Sequence, residues 1–481
     1  MTSSTVSSTS TAVVPYDPTP PHVDLRSHLE KITDEVYRRS LEAAKFESRH
    51  LSPPGRAEVA ILNRWLEAFN NGKLSDQDRA LLRETGGLQG KVELLSQGRI
   101  VCIAKENLSD QFLRIEFALG QPVKVEFVPP PENFKIERMS ESELIEVTLT
   151  RLSELTRKGQ FSGTVIIAKH GEPILSFSGG LSGSIPNGNI NMDTKFNLGS
   201  MNKMFTAIGI MQLVQNKEVS LDDYVGKYLP NYPNQPVRNV TIRQLLNHTG
   251  GTGNIFGPEF DQNVDKLKSP QDYIDLFGER GLNHVPGETW DYSNYGYVLL
   301  GRIIEVASGQ DYYQYVQENV YNPAGMTNSG SFYQTDAVDN LAIGFTFNEQ
   351  NSKLENNAST LPVRGSPAGG GYATAPNLLN FANALTEHRL LDREHTELLT
   401  AHLVDTGEND RYGYGFAAAP EGEISWFGHT GGHFGVNSSL DIYPDSDYTV
   451  IVMTNLDKPT ANREAQWIRA RLPTIQNGSE T

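Results

Sequence analysis

A serine and a lysine stand three residues apart at the start of an apolar segment. Ser200 and Lys203 are followed by apolar residues at Ile208, Met211 and Val214, a spacing that predicts a helix. Residues three apart on a helix are neighbours, so Lys203 can reach the Ser200 hydroxyl. The segment is apolar nearly all round, which predicts burial, and burial lowers the pKa of a lysine amine. An unprotonated amine can activate a serine hydroxyl as a nucleophile, although this pair of residues alone is a common chance match.

Tyr292 and Asn294 stand just before a second apolar segment, 298–307. A tyrosine at a loop-to-helix junction can lie in a cleft. Neighbouring lysines would there lower the pKa of its phenol from about 10 and let it relay a proton to a leaving group. Asn294 offers an amide donor and acceptor for a substrate amide or ester. The tyrosines of this stretch could equally form an aromatic packing stripe, and the motif alone leaves both interpretations open.

Residues 428–432 read Gly-His-Thr-Gly-Gly and follow a strand-like run. Gly431 and Gly432 would let a ligand approach the backbone closely, and such a strand edge can supply an amide N–H to an oxyanion. His429 and Thr430 would add a cation or a donor for a substrate carboxylate or carbonyl. His433 lies nearby, but with no third ligand indicated we expect no metal site.

The letters His-Thr-Gly-Gly also occur at residues 248–251. This copy directly follows a short predicted helix, 240–247, so we interpret it as a helix-terminating turn. The site role is therefore assigned to the later copy.

Together and in this order, the three clusters resemble the motifs of the serine β-lactamase-like family of penicillin-binding DD-peptidases, large-type β-lactamases and esterases. The resemblance spans about residues 150 to 456. It implies that Ser200 is the nucleophile and that Lys203 and Tyr292 move its proton. It also implies that the backbone N–H groups of Ser200 and Gly432 hold the oxyanion. The remaining motif residues would orient the substrate: Asn294, His429, Thr430 and Gly431.

Two positions depart from the family pattern. His429 stands where typical β-lactamases of this type have lysine, and Gly250 stands where a serine is usual. A histidine is only partly charged near neutral pH, so we expect weaker binding of an anionic lactam. The expected function is a serine hydrolase that acts through an acyl-enzyme on a small ester or amide, with no cofactor. An acyltransferase that uses the same serine and a non-catalytic scaffold are the alternatives.

Composition limits the partners. The chain has 481 residues, of which 38% are hydrophobic, enough for about two or three domains. Its net charge of −17 argues against nucleic acid or an anionic membrane as a partner. No apolar run approaches the roughly 18 residues of a membrane span, and no signal peptide is visible, so we expect a cytoplasmic location. The single cysteine, Cys102, excludes an intramolecular disulfide.

We predict a disordered tail at 1–22, a small α+β domain at 23–135 and a larger domain at 140–481. The small domain should contain a helix near residues 59–69 and then an antiparallel sheet of four strands, at 92–96, 100–105, 112–118 and 123–128. This order loosely resembles the nuclear transport factor-like cone fold. Its open sheet face could pair in a homodimer.

The larger domain is predicted to be α+β, with a β-lactamase/transpeptidase-like antiparallel sheet flanked by helices and a separate helical region. Strand-like runs near both of its ends, with helices between them, favour one sheet built from both ends. The predicted strands include 163–169, 413–417, 425–427, 436–443 and 449–454, and the terminal helices are 142–158 and 461–472.

Overall fold

The computed structural model describes four strands of the small domain by their backbone, residue 136, and most of the chain from 138 to 473. The gaps in that last stretch are 184–187, 349–352, 402, 408–410 and 422–423. The chain forms two compact units, one of residues 139–149 with 161–473 and the other of the small-domain strands with residues 150–160. The predicted tail, 1–22, and the predicted helix near 59–69 lie outside the described residues.

The small-domain sheet is an antiparallel meander in which the strands follow the order of the chain. Its four predicted strands are confirmed, and three of them begin earlier than predicted. The likeness to the nuclear transport factor-like fold stays a prediction. The strands are β1 (Leu88–Ser96), β2 (Arg99–Glu106), β3 (Phe112–Ala118) and β4 (Gln121–Val128).

An eight-stranded antiparallel sheet forms the body of the larger unit, in the order β11-β12-β13-β14-β15-β16-β5-β6. Its strands are β5 (Gly163–Lys169), β6 (Glu172–Gly179), β11 (Val404–Asp405), β12 (Arg411–Tyr412), β13 (Ala417–Glu421), β14 (Ile424–His433), β15 (Val436–Tyr443) and β16 (Tyr448–Thr454). Two short pairs stand outside it, β7 (Phe196–Asn197) with β10 (Tyr372–Ala373) and β8 (Phe345–Asn348) with β9 (Lys353–Asn356).

One helix precedes the first strand of the eight-stranded sheet, one follows its last strand, and the others lie between the two groups of strands. They are α1 (Glu141–Arg157), α2 (Asn202–Gln215), α3 (Val225–Tyr228), α4 (Ile242–Leu246), α5 (Pro258–Asp261), α6 (Pro270–Phe277), α7 (Asn294–Ser308), α8 (Tyr312–Val316), α9 (Asn322–Ala324), α10 (Ala375–Thr386), α11 (Arg393–Thr400) and α12 (Thr460–Arg469). Of the helices in the described ranges, none is long and apolar enough to cross a membrane.

The sheet is built from both ends of the larger unit, as predicted. β16 pairs with β5 in a register that places Thr454 opposite Gly163. β15 and β16 are buried at every residue, so both of their faces are covered. Helix α12 packs on β15 and β16, and α10 packs on β16 and β5. The central strands of the sheet therefore form a rigid base for the residues at the strand ends.

One predicted strand, 413–417, is wrong. The chain leaves β12 at Tyr412 and enters β13 only at Ala417. Gly415 lies between them with φ 80°, and a side chain there would come within 2.5 Å of the Ala207 Cβ of α2. The strand is interrupted because the backbone crosses closely over α2, a tertiary contact that alternation of residue types cannot reveal.

A buried ion pair joins the end of α12 to β15. Arg469 Nη2 donates to Asp441 Oδ2 at 2.8 Å, with side chains 8% and 0% exposed. The Asp441 carboxylate also accepts hydrogen bonds from Ser439 Oγ at 3.0 Å and from the Tyr443 hydroxyl at 3.1 Å. The guanidinium lies 3.7 Å from the centre of the Trp426 ring. The network is closed, and removing one partner would leave a buried charge unpaired.

We therefore expect Asp441→Ala to lower the free energy of unfolding by about 3–5 kcal/mol, because Arg469 would remain buried without its counter-charge. Urea denaturation followed by tryptophan fluorescence measures this change. The matched control is Asp222→Ala, which breaks an exposed pair with Arg243 (3.0 Å, Asp222 77% exposed) and should cost less than about 1 kcal/mol. Equal effects of the two substitutions would contradict the role of the buried pair.

Candidate active site

Ser200 lies in a 3₁₀ turn, Gly199–Met201, that leads directly into α2. Gly199 adopts φ 51°, and a side chain there would come within 2.6 Å of the Gly432 nitrogen of β14. On its other side the turn is tied to a loop by the Leu198 N–H, which donates to the Gly371 carbonyl at 2.7 Å. The serine is thus fixed between a strand of the main sheet and a loop, and it stays partly exposed.

Lys203 is fully buried one helical turn later, and three oxygen atoms surround its amine. Nζ donates to the Ala368 carbonyl at 2.6 Å and to Asn294 Oδ1 at 2.7 Å, and it lies 3.3 Å from Ser200 Oγ. Burial is the main cause that holds the pKa of Lys203 well below 10.5, and the charge of Lys458 lowers it further. The sequence-based expectation of a desolvated amine is therefore met in this geometry.

The arrangement suits an uncharged amine that acts as a base. A neutral amine has two N–H groups and one lone pair. The two N–H groups are used by Ala368 and Asn294, the two closest acceptors. The lone pair is left for the hydroxyl hydrogen of Ser200, whose oxygen is the third neighbour. Such an amine can accept the serine proton without first giving up one of its own.

Aromatic rings keep water from the amine. Nζ lies 4.7 Å from the centre of the Tyr292 ring and 5.5 Å from that of Tyr297. The buried His248 ring contacts both, with centroids 4.3 and 5.1 Å away, and also packs 4.6 Å from Tyr412. These rings, together with the apolar helix α2, create the desolvation that lowers the pKa of Lys203.

The prediction that the pKa of Tyr292 is lowered is wrong. Burial raises it above the ordinary value of 10, and a hydrogen bond with Ser200 offsets only part of that rise. The expectation assumed a charged lysine nearby, whereas Lys203 has a strongly lowered pKa and provides little positive charge. Tyr292 is therefore a neutral phenol beside the nucleophile, suited to donating a proton rather than to acting as a phenolate.

Asn294 is the first residue of α7, and its amide is largely used within the protein. Its Oδ1 accepts from Lys203, and its Nδ2 donates to Asn254 Oδ1 at 2.9 Å. Asn254 thereby fixes which end of the amide faces the lysine. Asn294 positions the amine first, and it retains one N–H for a substrate.

The earlier His-Thr-Gly-Gly copy forms the helix-terminating turn that the sequence predicts, but it also supports the site. His248 follows α4 with φ 61°, and its Nδ1 accepts the Ser293 N–H at 3.1 Å. The Ser293 hydroxyl donates to the Gly253 carbonyl at 2.6 Å. The turn is thus the platform on which the Tyr292 segment rests. At Gly250 a side chain would come within 2.9 Å of Val240, which explains why the usual serine has no room here.

His429 is not a cation, which corrects the sequence-based expectation. Its Nδ1 donates to the Thr430 carbonyl at 2.6 Å, and its Nε2 accepts from the Tyr412 hydroxyl at 2.8 Å. Burial is the largest cause that lowers the pKa of His429 to about 3. Because both ring nitrogens are occupied and the ring is buried, His429 anchors Tyr412 and offers no charge to a substrate.

The remaining residues of the Gly-His-Thr-Gly-Gly motif, 430–432, belong to strand β14. β14 runs through to His433, whereas β13 pairs only with residues 424–428 of it. Within the described ranges, no strand covers the other half of that edge, 429–433. A side chain at Gly431 would come within 1.8 Å of the Leu198 carbonyl, so the Ser200 turn lies directly against this edge. Thr430 and Gly432 are partly exposed there.

Sequence reasoning missed several residues of the site. Ala368 contributes through its carbonyl, a backbone acceptor that no residue type encodes. Tyr412 and Asn254 lie far from the motifs in sequence and carry no spacing pattern. Lys458, which acts electrostatically on Lys203, is a single lysine in a loop. Among the described residues no group of three or more His, Cys, Asp or Glu side chains could hold a metal ion.

Ser200 and Lys203 lie one helical turn apart, beside a sheet edge that no strand of the described ranges covers. They form a candidate active site of the serine hydrolase kind, with a lysine whose pKa is strongly lowered. The β-lactamase family model matches residues 149–474, and the chain belongs to that family. The predicted fold class of the larger domain is therefore confirmed.

Individual relatives agree with this assignment. The chain is 30% identical over 333 residues to a penicillin-binding protein of Bacillus subtilis. The match covers 66% of this chain and 73% of the relative. A penicillin-binding protein structure from Bacillus halodurans matches with a TM-score of 0.61 at 29% identity, over 66% of this chain and 99% of that one. A D-stereospecific amidohydrolase from Streptomyces matches with a TM-score of 0.57 at 24% identity, over 67% of this chain and 97% of that one. At that identity it shows a shared fold alone.

The buried neutral His429 makes stability depend on pH. Its pKa is about 3 when folded and returns to about 6.5 when unfolded, so below pH 6.5 the unfolded chain binds more protons. We expect the free energy of unfolding to fall toward pH 3, by up to about 1.4 kcal/mol per pH unit from this group. His429→Gln should flatten that slope, as measured by urea denaturation between pH 4.5 and 8.

The comparison at pH 8 serves as the control, because there neither state binds the proton and only the structural cost of the substitution remains. An unchanged slope in the variant would show that His429 is charged in the folded protein.

Proposed function

We propose that the protein is a serine hydrolase that forms an acyl-enzyme at Ser200 from a small ester or amide. One observation carries the proposal: the Lys203 amine donates to two protein oxygens and lies 3.3 Å from the serine oxygen as its third neighbour. A buried lysine without a charged partner destabilises a fold, and residues with such strongly shifted pKa values are concentrated at functional sites. The family membership supports the same conclusion.

Acylation follows from this geometry. Ser200 Oγ attacks the substrate carbonyl carbon while its proton passes to Lys203 Nζ, which gives a tetrahedral oxyanion and a lysine ammonium. When the oxyanion collapses, the bond to the leaving group breaks and the ester to Ser200 forms. The leaving oxygen or nitrogen takes up one proton, so Lys203 returns to the neutral amine.

Tyr292 is placed to deliver that proton. Its phenol is close enough to Ser200 for that side chain to lower its pKa, and its ring lies beside the lysine amine. Because its pKa is raised by burial, it holds its proton until a stronger base, the departing group, develops beside it. Deacylation reverses the roles: water attacks the acyl carbon, and the same groups remove its proton and return one to Ser200 Oγ.

The oxyanion would be stabilised by the backbone N–H groups of Ser200 and Gly432. The close approach of Gly199 to the Gly432 nitrogen brings these two residues together across the contact between turn and strand. Gly432 also lies on the part of β14 without a strand partner on one side within the described ranges. Backbone donors fixed in this way need no reorganisation as charge develops.

β-Lactams are the second class of acylating agent that we propose. The Bacillus subtilis relative is a penicillin-binding protein, and the first two motifs of the resemblance are intact here, whereas His429 replaces the usual lysine of the third. Opening of the lactam ring by Ser200 would follow the same proton path, with the ring nitrogen as the leaving group.

The decisive experiment compares the wild type with Ser200→Ala on p-nitrophenyl esters of several chain lengths and on a chromogenic cephalosporin. We expect Ser200→Ala to lose turnover completely and to lose any acyl adduct in the intact mass, with an unchanged circular dichroism spectrum. Ser142→Ala, which removes an exposed hydroxyl from α1, is the matched control and should keep full activity.

Turnover that survives in Ser200→Ala would overturn the assignment. The ratio of ester to cephalosporin hydrolysis in the wild type then places the protein among esterases or β-lactamases.

The pH dependence tests the base. Lys203 works only when unprotonated, and because its pKa is held well below 10.5 we expect kcat/KM to be substantial at neutral pH and to fall only as the pH drops through that lowered pKa. Lys203→Arg keeps a cation whose pKa exceeds about 12, so kcat/KM should fall by about 100- to 10,000-fold. The control is Lys227→Arg on the exposed helix α3.

A rate profile that rises only near pH 10 would instead identify a lysine of ordinary pKa, and it would contradict the desolvated-amine mechanism.

A further inference from the structure

A second lysine reaches the site from the loop after β16. Lys458 is an exposed residue, yet its side chain lies across Gly432 of β14: a Cβ at Gly432 would come within 1.6 Å of the Lys458 Cε and 2.7 Å of its Nζ. Only a glycine at position 432 leaves room for this. The absence of a side chain there thus places an ammonium group directly over the strand edge that faces Ser200.

The Lys458 ammonium makes no ion pair or hydrogen bond with any residue in the described ranges. The adjacent carboxylate is already used, because Asp457 Oδ1 accepts the Gly435 N–H at 2.6 Å and its Oδ2 accepts the Phe347 N–H at 2.9 Å. The Lys458 charge is nevertheless felt within the site, since it lowers the pKa of Lys203 and of His429. An exposed cation that acts on the catalytic amine without a fixed counter-charge is available to a ligand.

The surroundings define what it would bind. Side chains alternate along a strand, so Thr430 lies on the same face of β14 as Gly432, about 7 Å away. Thr430 is partly exposed, and its hydroxyl is a hydrogen-bond donor beside the ammonium. Of the two histidines on β14, His429 is neutral and occupied. His433 contacts the Thr360 carbonyl at 2.9 Å, and burial is the largest cause that lowers its pKa. A hydroxyl and an ammonium on one face of a strand edge suit a carboxylate.

We propose that Lys458 is a specificity-determining residue that binds a carboxylate of the substrate beside Gly432. The inference rests on the proposed function and narrows it: the substrate would be an ester or amide that carries a carboxylate within a few bonds of the reacting carbonyl. It also revises the expectation drawn from His429, because the positive charge missing from the motif is provided by the loop after β16.

The test uses two pairs of esters that differ only by a carboxylate. Mono-p-nitrophenyl glutarate against p-nitrophenyl valerate places the charge on the acyl side, and 3-carboxyphenyl acetate against phenyl acetate places it on the leaving group. We expect the ratio of kcat/KM, charged over neutral, to fall at least about tenfold in Lys458→Gln for one pair, mainly through KM. The ratio should fall further in Lys458→Glu and recover in Lys458→Arg.

Lys268→Gln removes one exposed positive charge elsewhere, and this matched control should leave both ratios unchanged. In the wild type, added salt should weaken the preference for the charged ester, and this salt effect should disappear in Lys458→Gln. A ratio unaffected by Lys458→Gln in both pairs would overturn the proposal, as would an equal loss on charged and neutral esters.

Failure of the proposed function gives a different result: no ester of either pair would be turned over. Carboxylate recognition is then measured without chemistry, by ligand-detected NMR of monoethyl glutarate with Ser200→Ala and with Ser200→Ala/Lys458→Gln. Weaker binding to the double variant supports the proposal, and equal binding overturns it.

Discussion

The Lys203 amine must stay uncharged inside the protein, and much of the site follows from that constraint. An ammonium in this position would be desolvated by α2 and by the rings around it. Among the residues that the structure describes, no carboxylate affects the pKa of this amine, and the charge of Lys458 also disfavours the protonated form. The two carbonyl oxygens that it does contact come from a backbone and an amide, and both accept hydrogen bonds from a neutral amine. A carboxylate in place of either would restore the charge and abolish the base.

A second constraint is the contact between the serine turn and the sheet. Leu198 and Gly199 lie against Gly431 and Gly432 so closely that side chains at the glycines would overlap backbone atoms. The same contact is stabilised by β15, because the Ser438 hydroxyl donates to the Leu198 carbonyl at 2.9 Å. The position of Ser200 is therefore set by β14 and by the fully buried strand β15, and not by a loop alone.

The sequence predicted the elements that repeat a local pattern. Helix α2 and strand β15 follow from apolar spacing, and the Ser200–Lys203 contact follows from helical geometry. The sequence did not predict features that depend on residues distant in the chain. The break at Gly415 depends on α2, and the direction of the Tyr292 pKa depends on whether a lysine far away in sequence is charged. Likewise, nothing in the spacing around His429 indicates that Tyr412 occupies its Nε2.

The structure separates two tasks that a lysine at position 429 would have to combine. A second lysine buried at position 429 would be desolvated, and its charge and that of Lys203 would disfavour each other. A neutral histidine at 429 avoids this repulsion and orders Tyr412 instead. Lys458 then lies at the solvent-exposed side of the strand, where its charge costs little to solvate and still lowers the pKa of Lys203. The same ammonium that would attract a carboxylate therefore also disfavours protonation of Lys203 in the free protein.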